Sequence, residues 1–321
     1  QERGLKVYSQ GLPEGADQIR LLNNSNNKMN GSSLGMRLDP QRPFLGAGLK
    51  VAVVGGTSGI GAAFAKEMAS KGADVIVMGR TFRDEGPRLT FIKADLSSVE
   101  SMKAAAAELP AEDLDMLIFT NGILPAKTRV ATSDGLEADL AVSYISRFVI
   151  LRELSERLGT NRPRRPRVFV MGGPGLGEKG NPADLNAENS YSRFLQHGKT
   201  VAANEALVLD AAARFPRLAV FGLNPGLIKT DIRSSITGTG CFFRFTEGVV
   251  GYCFPSAEVY AERLVPVLFA PALEKESGFH FNPKADAIKP SKVMTTQLTA
   301  KYIEATEALL ARLPIKDGEK S

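Results

Sequence analysis

A glycine-rich segment at residues 55–61 has the composition of a phosphate-binding loop. Its sequence is Gly55-Gly56-Thr57-Ser58-Gly59-Ile60-Gly61. It follows an apolar, β-rich run directly and opens a stretch with helical apolar spacing. Glycines permit a tight turn and let the backbone approach a pyrophosphate, while the helix N-terminus supplies N–H groups and a positive dipole end. The segment therefore predicts a dinucleotide-binding site.

Arg80 comes directly after a second apolar run, Asp74–Met78, and bears on which dinucleotide binds. A guanidinium at the end of this run can pair with the 2′-phosphate of NADP(H), whereas an aspartate there would bind the ribose hydroxyl of NAD(H). The alternative is an ordinary surface arginine. The pattern favours NADP(H) over NAD(H) as the cofactor.

Short apolar runs alternate with helical periodicity from Leu49 onwards. Strands are expected at Leu49–Val54, Asp74–Met78, Thr90–Ile92, Asp115–Phe119, Arg167–Met171, Leu218–Leu223 and, as a final edge strand, Gly278–Phe281. Helices are expected at Ile60–Lys71, Val99–Leu109, Leu136–Leu158, Tyr191–Arg214 and Thr295–Leu313. Buried strands joined by helices indicate an α/β fold, a doubly wound parallel sheet of about seven strands with helices on both faces.

The chain divides into three regions. Residues 1–47 are a polar, Gly/Asn-rich extension without apolar periodicity, interpreted as a flexible arm, with a partner surface as the alternative. Residues 48–290 form the α/β domain, and residues 291–321 a C-terminal helix and tail. Aromatic residues between glycines at about 230–255 indicate a lid over an apolar ligand pocket, or helices packed on the core or on a partner subunit.

Composition excludes several functional classes. A hydrophobic content of 43% rules out global disorder, and a net charge of +5 is too weak to indicate a nucleic-acid partner. The basic cluster is interpreted as a solvated loop rather than a binding patch; it comprises Arg162, Arg164, Arg165 and Arg167. Two cysteines, Cys241 and Cys253, and two histidines exclude a disulfide framework and a Cys/His zinc site, so no metal is expected.

The expected compartment follows from the same counts. A single Cys241–Cys253 bridge stays open, but a reduced compartment is the simpler interpretation. No transmembrane helix is expected, because no apolar stretch reaches about 18 residues. The charged N-terminus does not match a secretory signal. The chain is expected in the cytoplasm or, if a transit peptide was removed, inside an organelle, and not secreted.

The glycine spacing G-x-x-x-G-x-G resembles that of the short-chain dehydrogenase/reductase family. Further landmarks follow in order: Asp95-Leu96-Ser97, Gly122 and the turn Asn224-Pro225-Gly226-Leu227-Ile228-Lys229-Thr230. The resemblance covers about residues 49–290 and implies a Rossmann-like fold. Two segments, 182–186 and 278–282, are similar to the retinol-dehydrogenase-like branch.

The resemblance also implies a set of cofactor contacts. Asp95 would face the adenine, and Thr230 would contact the nicotinamide amide. The alternative for Asp95 is the start of a helix. The implied cofactor-binding residues are Gly55, Thr57, Ser58, Gly59, Ile60, Gly61, Arg80, Asp95, Leu96, Gly122, Lys199, Pro225, Gly226, Ile228 and Thr230.

Family members transfer a hydride with a Tyr–Lys pair, a serine and an asparagine. The lysine corresponds to Lys199, but the tyrosine position is Leu195, which has no proton to give. The serine position is taken by Gly172 or Gly173, and the asparagine position by Ser143. Because loss of a general acid costs about 10²–10⁴ in rate, conventional carbonyl reduction is expected to be crippled.

Two nearby side chains could replace the missing tyrosine as the acid. Tyr191 lies one helical turn before Leu195 and could swing toward the nicotinamide, although the resemblance to the retinol-dehydrogenase-like branch favours an apolar anchor here. His197 lies about 200° around the helix from Leu195 and is expected to face away from the site. Tyr191 is therefore the candidate catalytic residue beside Lys199.

Two functions remain open. The first is an NADP(H)-binding but catalytically inactive member that serves as a structural or regulatory subunit of a larger assembly, which the replaced catalytic positions favour. The second is an NADP-dependent oxidoreductase acting on a lipophilic carbonyl or alcohol, which Lys199, Arg80 and the complete glycine loop favour. Protein partners or a homo-oligomer are possible under both, since family members often pair through their two long helices.

Overall fold

The computed structural model describes residues 33–37, 46–82, 86–226, 228 and 255–313, which form one sheet flanked by helices. The strands are β1 (Ser33–Arg37), β2 (Lys50–Val54), β3 (Asp74–Gly79), β4 (Leu89–Lys93), β5 (Met116–Phe119), β6 (Arg167–Met171), β7 (Ala219–Leu223), β8 (Phe279–Phe281) and β9 (Asp286–Ile288). Their order across the sheet is β1-β9-β8-β7-β6-β5-β2-β3-β4. The predicted doubly wound α/β fold is confirmed.

Across the sheet, every neighbouring pair of strands between β8 at one side and β4 at the other is parallel. The order of the strands reverses around β2. β2 pairs with β3 on one side and with β5 on the other, so the chain winds outward from β2 in both directions. In such sheets the carboxyl ends of the strands at the reversal frame a crevice that holds ligands. A ligand is therefore expected at the loops after β2, β3 and β5.

The helices cover both faces of the sheet. They are α1 (Gly59–Ser70), α2 (Val99–Glu108), α3 (Ala138–Leu140), α4 (Ser146–Leu154), α5 (Arg193–Arg214), α6 (Ala257–Leu268) and α7 (Thr296–Ala311). A π-helical turn, Ala141–Ile145, joins α3 to α4, so the predicted helix over 136–158 contains an irregular turn that the apolar spacing did not reveal. Such turns occur frequently at functional sites.

Alternating side chains along β2 build the two halves of the core. Val51 and Val53 pack in the cluster that contains Phe64 of α1, whereas Ala52 and Val54 pack in the cluster on the other face. All four are fully buried, which explains why the strand reads as a continuous apolar run. Burial on both faces fixes the end of β2, and with it the start of the glycine loop.

The sheet extends past the predicted strands at one edge. β8 was predicted as the edge strand, but β9 pairs with it antiparallel, and β1 pairs antiparallel with β9. β1 lies within the polar extension, where the sequence predicted no regular element, because its alternation is limited to two apolar residues, Leu34 and Met36. The described sheet has nine strands rather than about seven.

The C-terminal helix α7 packs across the long helix α5 and reaches the π-helical turn. Tyr144 Oη and Thr306 Oγ1 lie 2.7 Å apart, both buried, and Arg152 of α4 donates to Glu307 at 3.2 Å. Tyr302 of α7 is also fully buried in the same core cluster. α7 therefore belongs to the core rather than to a loose tail.

Three of the four arginines of the basic cluster form structural hydrogen bonds, so for these the interpretation as a solvated loop was wrong, whereas Arg164 is exposed. Arg162 makes two hydrogen bonds to the Asp115 carboxylate, at 2.9 and 2.8 Å. Arg165 donates to four backbone carbonyls, and Arg167 donates to the Leu268 carbonyl at 2.6 Å. These guanidinium groups donate hydrogen bonds to groups of chain segments that meet there. The clustering of charges in the sequence does not by itself reveal this role.

Within the described ranges, no helix combines the length and apolar character needed to cross a membrane. Both cysteines, Cys241 and Cys253, lie outside those ranges, as do residues 1–32 of the polar extension.

Candidate active site

A cavity of about 620 Å³ lies at the carboxyl ends of β2, β3 and β5. Ten residues of the predicted cofactor set line it: Gly55, Thr57, Ser58, Gly59, Ile60, Gly61, Arg80, Asp95, Leu96 and Gly122. Its wall also includes residues that sequence reasoning did not single out, among them Ile123, Leu124, Ala138 and Val142. The structure thus brings most of the predicted set together in one crevice.

Close packing at the glycine loop explains why two of its positions are glycine. A Cβ added to Gly61 would overlap the Gly55 carbonyl oxygen and Thr120 Oγ1. Gly55 has φ +84°, and a Cβ there would overlap the backbone of Asn121. The first turn of α1 therefore packs directly on the backbone at the ends of β2 and β5.

The N-terminus of α1 is suited to an anion. Ser58 is the N-cap residue, yet its side chain makes no capping hydrogen bond. The positive end of the helix is therefore not neutralised by a capping oxygen, and N–H groups of the first turn face the cavity region. A glycine cradle beside an uncapped helix N-terminus fits the pyrophosphate of a dinucleotide.

Arg80 and Asp95 lie on the same cavity wall and carry opposite charges. Asp95 accepts from Ser97 Oγ at 2.7 Å and from the Ser97 amide at 3.0 Å. These hydrogen bonds hold the pKa of Asp95 below its ordinary value, and the Arg80 guanidinium adds to the effect. Arg80 itself is exposed, so its guanidinium can reach an anionic group of a ligand.

Other predicted cofactor residues lie beyond the cavity wall. Pro225, Gly226 and Ile228 follow β7, and the Gly226 amide donates to Asn224 Oδ1 at 2.9 Å. Gly226 has φ +64°, a conformation that favours glycine. Thr230 lies outside the described residues, as does the predicted lid apart from Pro255.

Lys199 is bound to an aspartate rather than placed at the cavity wall. Its Nζ donates to the Asp184 carbonyl oxygen at 2.5 Å and lies 3.6 Å from the Asp184 carboxylate. Both side chains are almost fully buried. The implied contact of Lys199 with the cofactor ribose would require the ammonium group to leave Asp184, and it stays a prediction.

Replacing Lys199 with methionine is expected to lower the free energy of unfolding by about 1.5–3 kcal/mol, because Asp184 loses a charge-assisted hydrogen bond. The affinity for NADPH is expected to change less than about threefold, since the ammonium is not at the cavity wall. Urea unfolding and an NADPH fluorescence titration measure the two quantities. Lys301→Met on the exposed side of α7 is the control; a tenfold loss of affinity with the fold intact would return Lys199 to the cofactor.

The tyrosine and serine positions do not offer the groups that the family uses. Leu195 lies in the first turn of α5 and is 70% exposed. A Cβ added to Gly172 would lie 2.9 Å from Asn204 Cβ and 3.2 Å from Arg147 Nη1, so the serine's space is already filled. Gly173 has φ +71°, which disfavours any residue with a side chain.

A buried arginine lies beneath these positions, and sequence reasoning missed it. Arg147 of α4 is only 3% exposed; it donates to Asn204 Oδ1 at 2.8 Å and to the Asn121 carbonyl oxygen. Burial lowers the pKa of Arg147 to about 9, against the opposing charge of Asp139. The sequence signal that could have identified it is a charged residue directly before the apolar run Phe148–Leu151.

Tyr191, the predicted substitute acid, precedes α5 and is fixed to a neighbouring loop. Its hydroxyl donates to the Ala126 carbonyl oxygen at 2.8 Å. Burial and the nearby Glu137 and Asp139 carboxylates raise its pKa, opposite to the direction that an acid/base tyrosine needs. Its catalytic assignment remains a prediction without support from this geometry.

An aspartate, a serine and a histidine form a hydrogen-bonded cluster beside the cavity. Asp139 of α3 is fully buried and accepts from Ser143 Oγ at 2.7 Å, while its other oxygen lies 3.3 Å from His197 Nδ1. Ser143 Oγ also accepts from the amide of Ile123, which lines the cavity. The cluster therefore joins α3 and α5 directly behind the cavity wall.

The expected orientation of His197, facing away from the site, stays a prediction, and the structure places its ring against Asp139 of α3. That expectation took the angle around α5 between Leu195 and His197 and assumed that Leu195 faces the site. The structure instead turns Leu195 toward solvent and His197 toward α3. Sequence reasoning also missed Asp139, although its position four residues before Ser143 on a helix places the two on one face.

Comparison with known proteins identifies the family. Residues 50–163 match the short chain dehydrogenase family. An uncharacterized oxidoreductase of Saccharomyces cerevisiae is 45% identical over 271 residues, which cover 82% of this chain and 88% of that protein. Retinol dehydrogenase 14 of Mus musculus is 27% identical over 299 residues, covering 84% and 88%. The chain belongs to the short-chain dehydrogenase/reductase family, whose cofactor is a nicotinamide dinucleotide.

Solved structures share the fold. A protein from Mycobacterium paratuberculosis superposes with a TM-score of 0.62 at 19% identity, covering 87% of this chain and 99% of that chain. The ligand-free aldohexose dehydrogenase of Thermoplasma acidophilum superposes with a TM-score of 0.55 at 15% identity, covering 73% and 91%. At these identities the likeness concerns the fold alone.

Proposed function

We propose that this chain is an NADP(H)-dependent oxidoreductase that does not use its family's tyrosine as the proton donor. The observation that supports it most strongly is the cavity, where the glycine cradle, the uncapped N-terminus of α1 and Arg80 line one crevice. The helix N-terminus fits the pyrophosphate, and the exposed guanidinium of Arg80 fits a 2′-phosphate. When bound, NADPH supplies a hydride to a carbonyl carbon.

The departure from the family's chemistry rests on three observations. Leu195 carries no acidic proton, the space of the serine is filled beside Gly172, and the ammonium of Lys199 is held by Asp184. Each removes one component of the tyrosine mechanism. Carbonyl reduction by this chain would therefore need a proton from another side chain.

The proposed substrate class is a lipophilic carbonyl or alcohol. Leu176, Phe194 and Leu195 are each more than 60% exposed, and they lie in the loop after β6 and at the start of α5. Large apolar side chains that stay exposed near one another along the chain are typical of surfaces that receive apolar ligands or partners. The similarity to proteins named retinol dehydrogenases is consistent with this class.

A second candidate function is a catalytically inactive, cofactor-binding subunit with a structural or regulatory role in a larger assembly. The Lys199–Asp184 contact favours it, because it removes the lysine that would otherwise assist chemistry. Under this function NADP(H) would stabilise the chain without being consumed, and the exposed leucines and Phe194 would contact a protein partner.

Titration of the purified chain with NADPH and NADH, followed by a panel of aldehydes and ketones, separates the candidates. We expect NADPH to bind at least about tenfold more tightly than NADH. Loss of NADPH absorbance with a lipophilic carbonyl supports the oxidoreductase. Tight binding without turnover, together with co-purification of fixed partners, supports the subunit, and failure to bind either dinucleotide overturns both.

A further inference from the structure

The face of α5 that packs against α3 and α4 carries His197. Asn204 lies two turns further along the same face, and its side-chain amide donates to the Ser143 carbonyl oxygen at 2.9 Å. His197 contacts Asp139 on the same side. α5 therefore presents a histidine to the element that carries Ser143, the residue at the family's asparagine position.

The Asp139 carboxylate fixes the orientation of the imidazole. Asp139 is fully buried and lies against Nδ1, which leaves the opposite ring nitrogen, Nε2, pointing away from it. Among the residues that the structure describes, Nε2 makes no hydrogen bond, and the His197 side chain is 43% exposed. An aspartate that holds one ring nitrogen and leaves the other accessible is the arrangement of an oriented acid or base.

The charges around His197 favour its protonated form. The hydrogen bond with Asp139 raises the pKa of His197 above its ordinary value, although burial opposes it. Glu178, in the loop after β6, and Glu137, immediately before α3, act in the same direction. Below this raised pKa the ring carries the proton that carbonyl reduction requires.

We propose that His197 donates the proton to the oxygen of a lipophilic carbonyl substrate, and that Asp139 is its positioning residue. The inference rests on the proposed binding of NADPH, which supplies the hydride to the carbonyl carbon and leaves as NADP⁺. At the oxygen, the electron pair of the C=O π bond forms the new O–H bond while the Nε2–H bond breaks. The neutral imidazole then takes a proton from solvent.

The histidine assignment can be tested without cofactor or substrate. The chain contains two histidines, so ¹³C-histidine labelling gives two imidazole signals, and His197→Gln identifies one of them. We expect that signal to titrate above the ordinary pKa of about 6.5. Asp139→Asn is expected to lower the titration by about 1 pH unit. A His197 signal that titrates at or below the ordinary value and ignores Asp139→Asn overturns the proposed pairing.

Steady-state reduction of benzaldehyde, hexanal and cyclohexanone by NADPH tests the chemistry. We expect His197→Gln to lower kcat/KM about 10²–10⁴-fold while the NADPH dissociation constant changes less than about threefold. In the unmodified chain, kcat/KM is expected to fall as pH rises through the raised pKa, since the acid form is then lost. Asp139→Asn should move that fall to lower pH, which a purely structural role would not do.

The outcomes distinguish this inference from the proposed function. Lys103→Gln, an exposed residue of α2, is the control for removing a positive charge and should leave both quantities unchanged. If NADPH does not bind, the proposed function fails. If NADPH binds and carbonyls are consumed but His197→Gln turns over at the unmodified rate, the inference about His197 fails alone. If NADPH binds but no carbonyl in the panel is consumed, the proposed oxidoreductase and the inference about His197 fail together. Turnover lost instead in Tyr191→Phe would assign the proton to that phenol.

Discussion

Arg80→Ala is expected to weaken NADPH binding about 10- to 100-fold while changing NADH binding less than about threefold. The guanidinium is exposed at the cavity wall, and a charge-assisted hydrogen bond to a phosphate contributes about 1.5–3 kcal/mol. NADH has no phosphate at that ribose, so it loses no such contact. Parallel fluorescence titrations with the two dinucleotides measure the ratio.

Arg88→Ala is the matched control for that experiment. Arg88 is also an exposed arginine, but it pairs with Asp74 at 2.8 Å and does not line the cavity. Its removal should leave both dissociation constants unchanged, because an exposed ion pair contributes about 0–1 kcal/mol and lies outside the crevice. If Arg80→Ala weakens the binding of NADPH and NADH by the same factor, Arg80 does not bind the 2′-phosphate.

Gly61→Ala is expected to weaken binding of both dinucleotides at least about tenfold and to lower the free energy of unfolding by about 1–3 kcal/mol. The added methyl would overlap the Gly55 carbonyl oxygen, which belongs to the backbone and cannot rotate away. In an uncrowded helix, a change from glycine to alanine raises the free energy of unfolding by about 1 kcal/mol. A decrease in Gly61→Ala would therefore show that the overlap with the Gly55 carbonyl outweighs this gain. Urea unfolding and dinucleotide titration provide both measurements.

Gly86→Ala serves as the control for the glycine substitution. A Cβ there would meet the side chain of Leu89 at 3.4 Å, an ordinary contact, and Gly86 does not line the cavity. We expect wild-type affinity and a small change in stability. Unaltered affinity in Gly61→Ala would mean that the loop can move away from α1 without cost, contrary to the packing described.

The central strands and most helices could be predicted because each shows a single strong pattern. Residues 51–54 are apolar and buried on both faces, and the glycine loop follows at once. The pattern failed where a segment's structure depends on its partner. β1 and β9 have only five and three residues, too few for an alternating pattern to stand out, so only their pairing makes them strands.

Many of the residues that line the cofactor cavity could be predicted from the sequence, whereas the side chains proposed to take part in the chemistry could not. A glycine loop is positioned by the strand before it and the helix after it, both of which are local. The orientation of His197 depends on how α5 rotates against α3, which no local pattern fixes. The buried guanidinium of Arg147 has the same origin, since its partners Asn121 and Asn204 are distant in sequence.

The packing of α7 constrains how two copies of this chain can associate. Phe194 and Leu195 in the first turn of α5 are exposed, but a second copy that approached the part of α5 packed on α7 would meet α7 first. Reaching that part would mean extracting Tyr302 and Ile303 from the core. Each such side chain contributes about 1.5–3 kcal/mol when buried, so that route is coupled to local unfolding. Dimerisation along the α5 axis would then be slow and steeply temperature-dependent, whereas contacts through the outer surface of α7 would carry no such barrier.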